Sequence, residues 1–213
     1  MKFARTFYES DALFLAKNLL GKILVHNSSE GITSGIIVET EAYKGPVDKA
    51  AHTFGGRRTP RTEIVFHGGG FAYIYLVYGM YNCFNITANI PGNPECVLLR
   101  ALQPLDGINI MQARRKTSRA ENLCSGPGKL CAAMGITRAL YGEDLCGKKL
   151  YVLDNNYPDM KIKSSPRIGI DYAEEYKDVL WRFYIDGNKY VSAQKKNAAR
   201  TNTNGAENSL REN

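Results

Sequence analysis

The chain has 213 residues, 44% hydrophobic and 23% charged, which is long enough to bury a sizeable core, and no break in composition before about position 193 argues for a second domain. No window reaches the ~18 uninterrupted apolar residues of a membrane-spanning helix, and the N-terminal apolar stretch is broken by Lys17 and lacks a small-residue cleavage site. A formal charge of +7 favours a polyanionic partner, and five cysteines without a Cys-x-x-Cys pair fit reduced thiols in a cytoplasmic protein better than a disulfide framework.

In chain order, "SDALFLAKNLLG" predicts a first helix, with Ser10 as its N-cap, apolar residues at 12, 13, 15, 16, 19 and 20, and Gly21 as its stop. "KILVH" and "ITSGIIVETEAY" read as β-branched strands joined by the hairpin composition "NSSEG". "AYIYLVYGMYNCFNITAN" predicts a second hairpin with Gly79 supplying backbone freedom at its tip. "CVLLRAL" suggests a buried strand, "DGINIMQARRK" a basic helix, and "GPGKLCAAMG" a short helix with Pro127 in its first turn. "KKLYVLD" and "LWRFYIDG" are the later strands. Strands and helices do not alternate, so an antiparallel-rich α+β fold is expected. From residue 193 large apolar side chains almost vanish, and that tail is expected to be disordered, leaving 1–192 as one domain.

Four features carry candidate chemistry. Strand alternation puts Glu39 and Glu41 of "VETEAY" on one face and Thr40 on the other, and two neighbouring carboxylates oppose each other's ionisation. The plain alternative is a pair of solvated side chains on an edge strand, although Ile36, Ile37 and Val38 point to a central one. His26, His52 and His67 share no ligand spacing with one another or with a cysteine, so no metal site is expected. Arg57, Arg58 and Arg61, then Arg114, Arg115, Lys116 and Arg119, form basic clusters that could track a nucleic-acid backbone or simply face solvent, and Pro127 opening a helix with Lys129 nearby could hold a phosphate or be an ordinary helix start.

The stretches "GIIVETEAYKGPVDKAAHTFGGRRTPR", "YIYLVYGMYNCFNI", "CVLLRALQPLDG" and "LCSGPGKLC", in this order and spanning most of the chain, resemble the alkyladenine DNA glycosylase family. The resemblance implies one mixed α+β domain with a curved antiparallel sheet, surrounding helices and a protruding hairpin that enters the DNA minor groove. It implies a monofunctional N-glycosylase of base excision repair that flips 3-methyladenine and 7-methylguanine, and in some members of the family also hypoxanthine and ethenoadenine, from the duplex, then hydrolyses the glycosidic bond without strand cleavage.

Carried over by motif, Glu41 is the base that activates water, with Arg100 and a backbone carbonyl near Ile170 holding that water. Tyr43 and Tyr75 sandwich the flipped base, His52 packs beside it, and Asn85 excludes guanine's exocyclic amino group. Tyr78 fills the vacated stack, with Met80 and Tyr81 flanking it; from the basic clusters and the helix start read above, Arg57, Arg58 and Lys129 are expected to meet the DNA backbone. The expected partner is double-stranded DNA with a damaged purine, bound by a monomer with no cofactor, membrane or obligate protein partner. Two other classes compete: a damaged-DNA or RNA binding module without chemistry, which an intact Glu41 and Arg100 argue against, and a metal-dependent hydrolase, for which the ligand spacing is missing.

Overall fold

The computed structural model describes residues 1–192, so the expected tail at 193–213 lies outside the described residues. Two short helices come first, α1 (Arg5–Tyr8) and α2 (Ala12–Asn18). The N-cap of α2 is Asp11 and not Ser10: its carboxylate accepts from Leu13 N and Phe14 N, while Ser10 Oγ turns back to Phe7 O. Both residue types suit an N-cap, and one residue of offset decides which side chain reaches the free amides.

The strands are β1 (Ile23–Ser28), β2 (Gly31–Tyr43), β3 (Ala72–Val77), β4 (Tyr81–Ala88) and β5 (Glu95–Pro104), then β6 (Leu150–Leu153), β7 (Ile162–Ser165) and β8 (Arg182–Ile185). Between β5 and β6 lie α3 (Ile108–Arg115) and α4 (Pro127–Met134). All the pairings are antiparallel, and the order β3-β4-β5-β2-β1-β6, with β8 joined to β2 and β7 to β8, makes one curled sheet. The expected α+β class with a curved antiparallel sheet is therefore observed. The sequence reading missed α1 and β7, because a four-residue helix has almost no period and "IKSS" carries neither alternation nor β-branched enrichment beyond Ile162.

β2 is the spine. Its first half pairs with β1 on one side, its second half with β8 on that side, and β5 runs along the other. Flanked on both edges and covered by α2, where Thr40 Oγ1 donates to Ala16 O, β2 is buried almost throughout. The solvated-edge alternative for its glutamates does not hold: Glu39 and Glu41 are both 0% exposed. The core on the helix side joins Leu15, Leu19, Ile37, Phe84, Leu99 and Leu130. Among the described residues no helix is long and apolar enough to cross a membrane.

Candidate active site

Register builds the site. One cross-strand row runs from Tyr73 through Asn85, Leu98 and Glu41 to Arg182, so five strands deliver side chains to a single line across the sheet. Residues directly opposite in antiparallel strands share a face, so Tyr73, Asn85 and Glu41 converge although 44 residues separate the last from Asn85. A register shift in the β2–β5 pairing between Ile37 and Thr40 locally breaks the alternation beside Arg100.

That shift lets one guanidinium serve two carboxylates. Arg100 Nε donates to Glu39 Oε1 at 2.9 Å, and its Nη1 lies 3.3 Å from Glu41 Oε1. Glu39 also accepts from Arg182 Nε at 2.6 Å and from Ser192 through both its amide at 2.7 Å and its hydroxyl at 2.8 Å. Burial disfavours the charge on Arg100, but Glu41 and then Glu39 outweigh it and hold the guanidinium pKa above its ordinary value. Glu41 accepts from Ile168 N at 2.8 Å on Oε1 and from the Tyr43 hydroxyl at 2.9 Å on Oε2. Burial, and next the Glu41 carboxylate, push the Tyr43 phenol well above its usual range, which keeps it a donor.

Next to these groups is a cavity of about 420 Å³, lined by Tyr43, His52, Tyr73, Tyr75, Asn85, Arg100 and Ile168, among others; Glu41 itself is fully buried and not part of the lining. Tyr43, Arg100 and Ile168, the three partners of Glu41, all belong to its wall. Tyr73 and Tyr75 are tilted rings 5.3 Å apart, and His52 meets Tyr75 edge-on at 4.6 Å. His52 Nδ1 is 2.7 Å from the Tyr73 hydroxyl. Burial, then Arg61 and Arg57, lower the imidazole pKa to about 4, so it is neutral near pH 7. Asn85 is fixed by donating Nδ2 to Tyr73 O at 3.2 Å.

The segment 166–173 closes the remaining side. Arg167, fully buried, makes two bonds to Asp48 at 2.6 and 2.8 Å and a third to Ala42 O at 2.9 Å. It thereby fastens this loop to the end of β2, which sets Ile168 N on Glu41. Ile170 lines the cavity, and its carbonyl accepts from Ala173 N at 2.9 Å; the direct contact to Glu41 comes from the Ile168 amide two residues earlier.

Tyr78, Gly79 and Met80 form the tip between β3 and β4. Both Tyr78 (φ 53°) and Gly79 (φ 70°) are left-handed, which glycine accepts freely and tyrosine does not. The tip side chains stand in solvent, Tyr78 86% and Met80 66% exposed, with Tyr81 half exposed at the base of the tip. Gly128 in the first turn of α4 packs against the Tyr81 side chain, where an added Cβ would come within 3.2 Å of Tyr81 Cβ, so α4 braces the hairpin closely.

The basic residues divide. Arg57 and Lys129 are exposed and make no ion pair among the described residues. Arg58 is held by Glu63 and lies 4.8 Å over the Phe66 ring. Arg114 spends its donors on Glu30, Ser28 and Ala133 O, and Arg115 donates to Leu123 O, so half of the second cluster is engaged in holding the fold. His26 bonds Met134 O in the interior and His67 pairs with Glu63 at the surface, so the three histidines lie in three separate places. The sequence reading did not single out Arg167, Asp48, Arg182 or Ser192; the Arg167–Asp48 pair and the bonds of Arg182 and Ser192 to Glu39 span 119 to 153 residues, and no local pattern marks such contacts.

Comparison with known proteins agrees with the earlier resemblance. Residues 6–189 match the family described as Methylpurine-DNA glycosylase (MPG). Three bacterial relatives carry the name "Putative 3-methyladenine DNA glycosylase". That of Clostridium acetobutylicum is 50% identical over 204 residues, covering 92% of this chain and all of the relative. Those of Desulfitobacterium hafniense and Clostridium tetani are 47% and 49% identical over 91% and 90% of this chain, each over 99% of the relative.

Proposed function

Because this chain belongs to the methylpurine-DNA glycosylase family, which makes it a DNA glycosylase and so a hydrolase of DNA repair, we propose that it removes 3-methyladenine and related purine lesions from duplex DNA by water attack at the anomeric carbon, leaving an intact abasic strand. The observation that carries this reading is the Glu41 carboxylate, buried behind an aromatic cavity of purine-compatible size and fixed by Ile168 N, Tyr43 and Arg100.

In this reading Glu41 is the general base. Ile168 holds it with a backbone amide and Arg100 is anchored by Glu39, so in this reading Tyr43 is the partner that gives way. As Tyr43 rotates against an incoming purine, its hydroxyl leaves Oε2 and a water takes its place, aimed at the sugar. Arg100 holds the carboxylate in place, and the carboxylate faces the positive charge that develops on the sugar as the glycosidic bond lengthens. Tyr43 and Tyr75 stack on the flipped base beside neutral His52, and Asn85 crowds the edge on which guanine carries its amino group. A cationic alkylpurine needs no acid to leave, so one carboxylate suffices.

Extrusion costs a few kcal/mol of stacking, and Tyr78, already outward on the hairpin, is the wedge that recovers part of it, with Met80 and Tyr81 beside it. Arg57, Arg58 and Lys129 contact phosphates in this reading, Arg58 exchanging Glu63 for DNA. No lysine lines the cavity among the described residues, so a Schiff base and strand cleavage are not part of the proposal.

The test uses labelled duplexes with one hypoxanthine or one ethenoadenine, and methylated DNA for released 3-methyladenine, incubated in chelator with and without later hot alkali. Breaks that need alkali and vanish with Glu41→Gln support the reading. Breaks without alkali, or full activity of Glu41→Gln, refute it. The isosteric amide still accepts from Ile168 N and can donate to the Tyr43 oxygen, so the variant should fold and still bind the lesion.

A further inference from the structure

Each of the two tyrosines assigned to stack on the base carries a guanidinium. Arg167 lies 4.6 Å from the Tyr43 ring centroid, but it is buried, paired with Asp48 and outside the cavity lining, so it backs that ring from behind. Arg61 is different. Its guanidinium carbon is 4.8 Å from the Tyr75 centroid and its Nη2 is 2.9 Å from His52 Nε2 and 3.2 Å from Nδ1. It is exposed at the rim, it lines the cavity itself, and no carboxylate pairs with it among the described residues.

From this geometry we propose that Arg61 is a specificity-determining residue that biases the pocket against cationic purines and toward neutral ones. The inference rests on the glycosylase reading of the same cavity. An aromatic pocket by itself favours a cationic base through the ring quadrupole. Here the electron-rich face of Tyr75 is already taken by a fixed cation, and a positively charged purine entering beside it meets like charge in a partly desolvated space. A neutral lesion meets no such repulsion, and its ring nitrogens and carbonyl oxygens are acceptors for a group that has only donors to offer. The neutral state of His52 suits the same division, since a protonated imidazole could not sit this close to Arg61.

The experiment measures single-turnover excision of 7-methylguanine, a cation, and ethenoadenine, a neutral base, from otherwise identical duplexes, using the full-length protein, R61M and R61K at two salt concentrations. Expected for R61M is a rise of about tenfold in the ratio of the 7-methylguanine to the ethenoadenine rate constant, equivalent to about 1.4 kcal/mol. R61K, which keeps the charge, should stay within about threefold of the parent ratio. An unchanged ratio, or both lesions slowed alike with a shallower salt dependence, overturns the proposal in an active enzyme and makes Arg61 a phosphate contact only. If the unaltered protein excises neither base from these duplexes nor 3-methyladenine from methylated DNA, the glycosylase reading falls first and this one with it.

Discussion

The amide of Ile168 donates to Glu41 Oε1 at 2.8 Å across 127 residues of sequence. A side-chain change cannot remove a backbone donor, but proline can, because it has no N–H. Ile168→Pro is expected to slow base release at least about tenfold, the size of one hydrogen bond to a charged group. Ile168→Ala, which keeps the amide and alters a partly exposed side chain, should remain near the parent rate in the same single-turnover assay.

Glu39 holds Arg100, and its removal should act at a distance. Glu39→Gln leaves Arg100 and Arg182 short of a buried counter-charge, and breaking such a network costs about 3–5 kcal/mol. The melting temperature should fall by about 10 °C, and base release should slow more than lesion binding weakens. An unchanged melting temperature would show that the network contributes no stability.

Tyr78 makes no core contact and is 86% exposed, so Tyr78→Ser should leave stability within about 0.5 kcal/mol. Affinity for lesion-containing duplex should drop more than the rate of chemistry within a saturated complex. Equal affinity of parent and variant, measured by fluorescence anisotropy, would contradict the wedge assignment.

His52 gives the protein an acid sensitivity. Its pKa drops from 6.5 to about 4 on folding, because of burial and then Arg61 and Arg57. Above pH 6.5 the ring is neutral in both states and contributes nothing. As pH falls from 6.5 toward 4, the unfolded chain takes up a proton that the folded protein refuses, so stability falls, by about 2 kcal/mol at pH 5. The melting temperature of His52→Gln relative to the parent should therefore rise between pH 7.5 and pH 5. A constant difference across that range would show that His52 is not held neutral.

Ser192 supplies two of the donors to Glu39, whereas the family match ends at residue 189. A chain cut after Ser192 should keep nearly full base-release activity. A cut after Asn188 should lose stability and activity together, as Glu39→Gln does. Loss of activity in the chain that ends at Ser192 would assign residues 193–213 a role in catalysis or DNA binding.

The sequence by itself determined what local pattern can encode. The alternation in "VETEAY" put Glu39 and Glu41 on one face, and both do reach the same guanidinium. The tyrosine-rich run with glycine at 79 fixed a hairpin and its tip, and Pro127 the start of α4, because turn residues and first-turn prolines act within a few positions. Tertiary structure decided the rest. Only sheet register brought Tyr73, Asn85 and Glu41 into one row, and only the Arg167–Asp48 pair set Ile168 against the carboxylate. Only packing set Arg61 over Tyr75 and left Arg114 facing Glu30. These strand pairings and buried ion pairs join residues from tens to more than a hundred positions apart, and their cost in chain entropy is met by the whole core, so no window of sequence carries their signature.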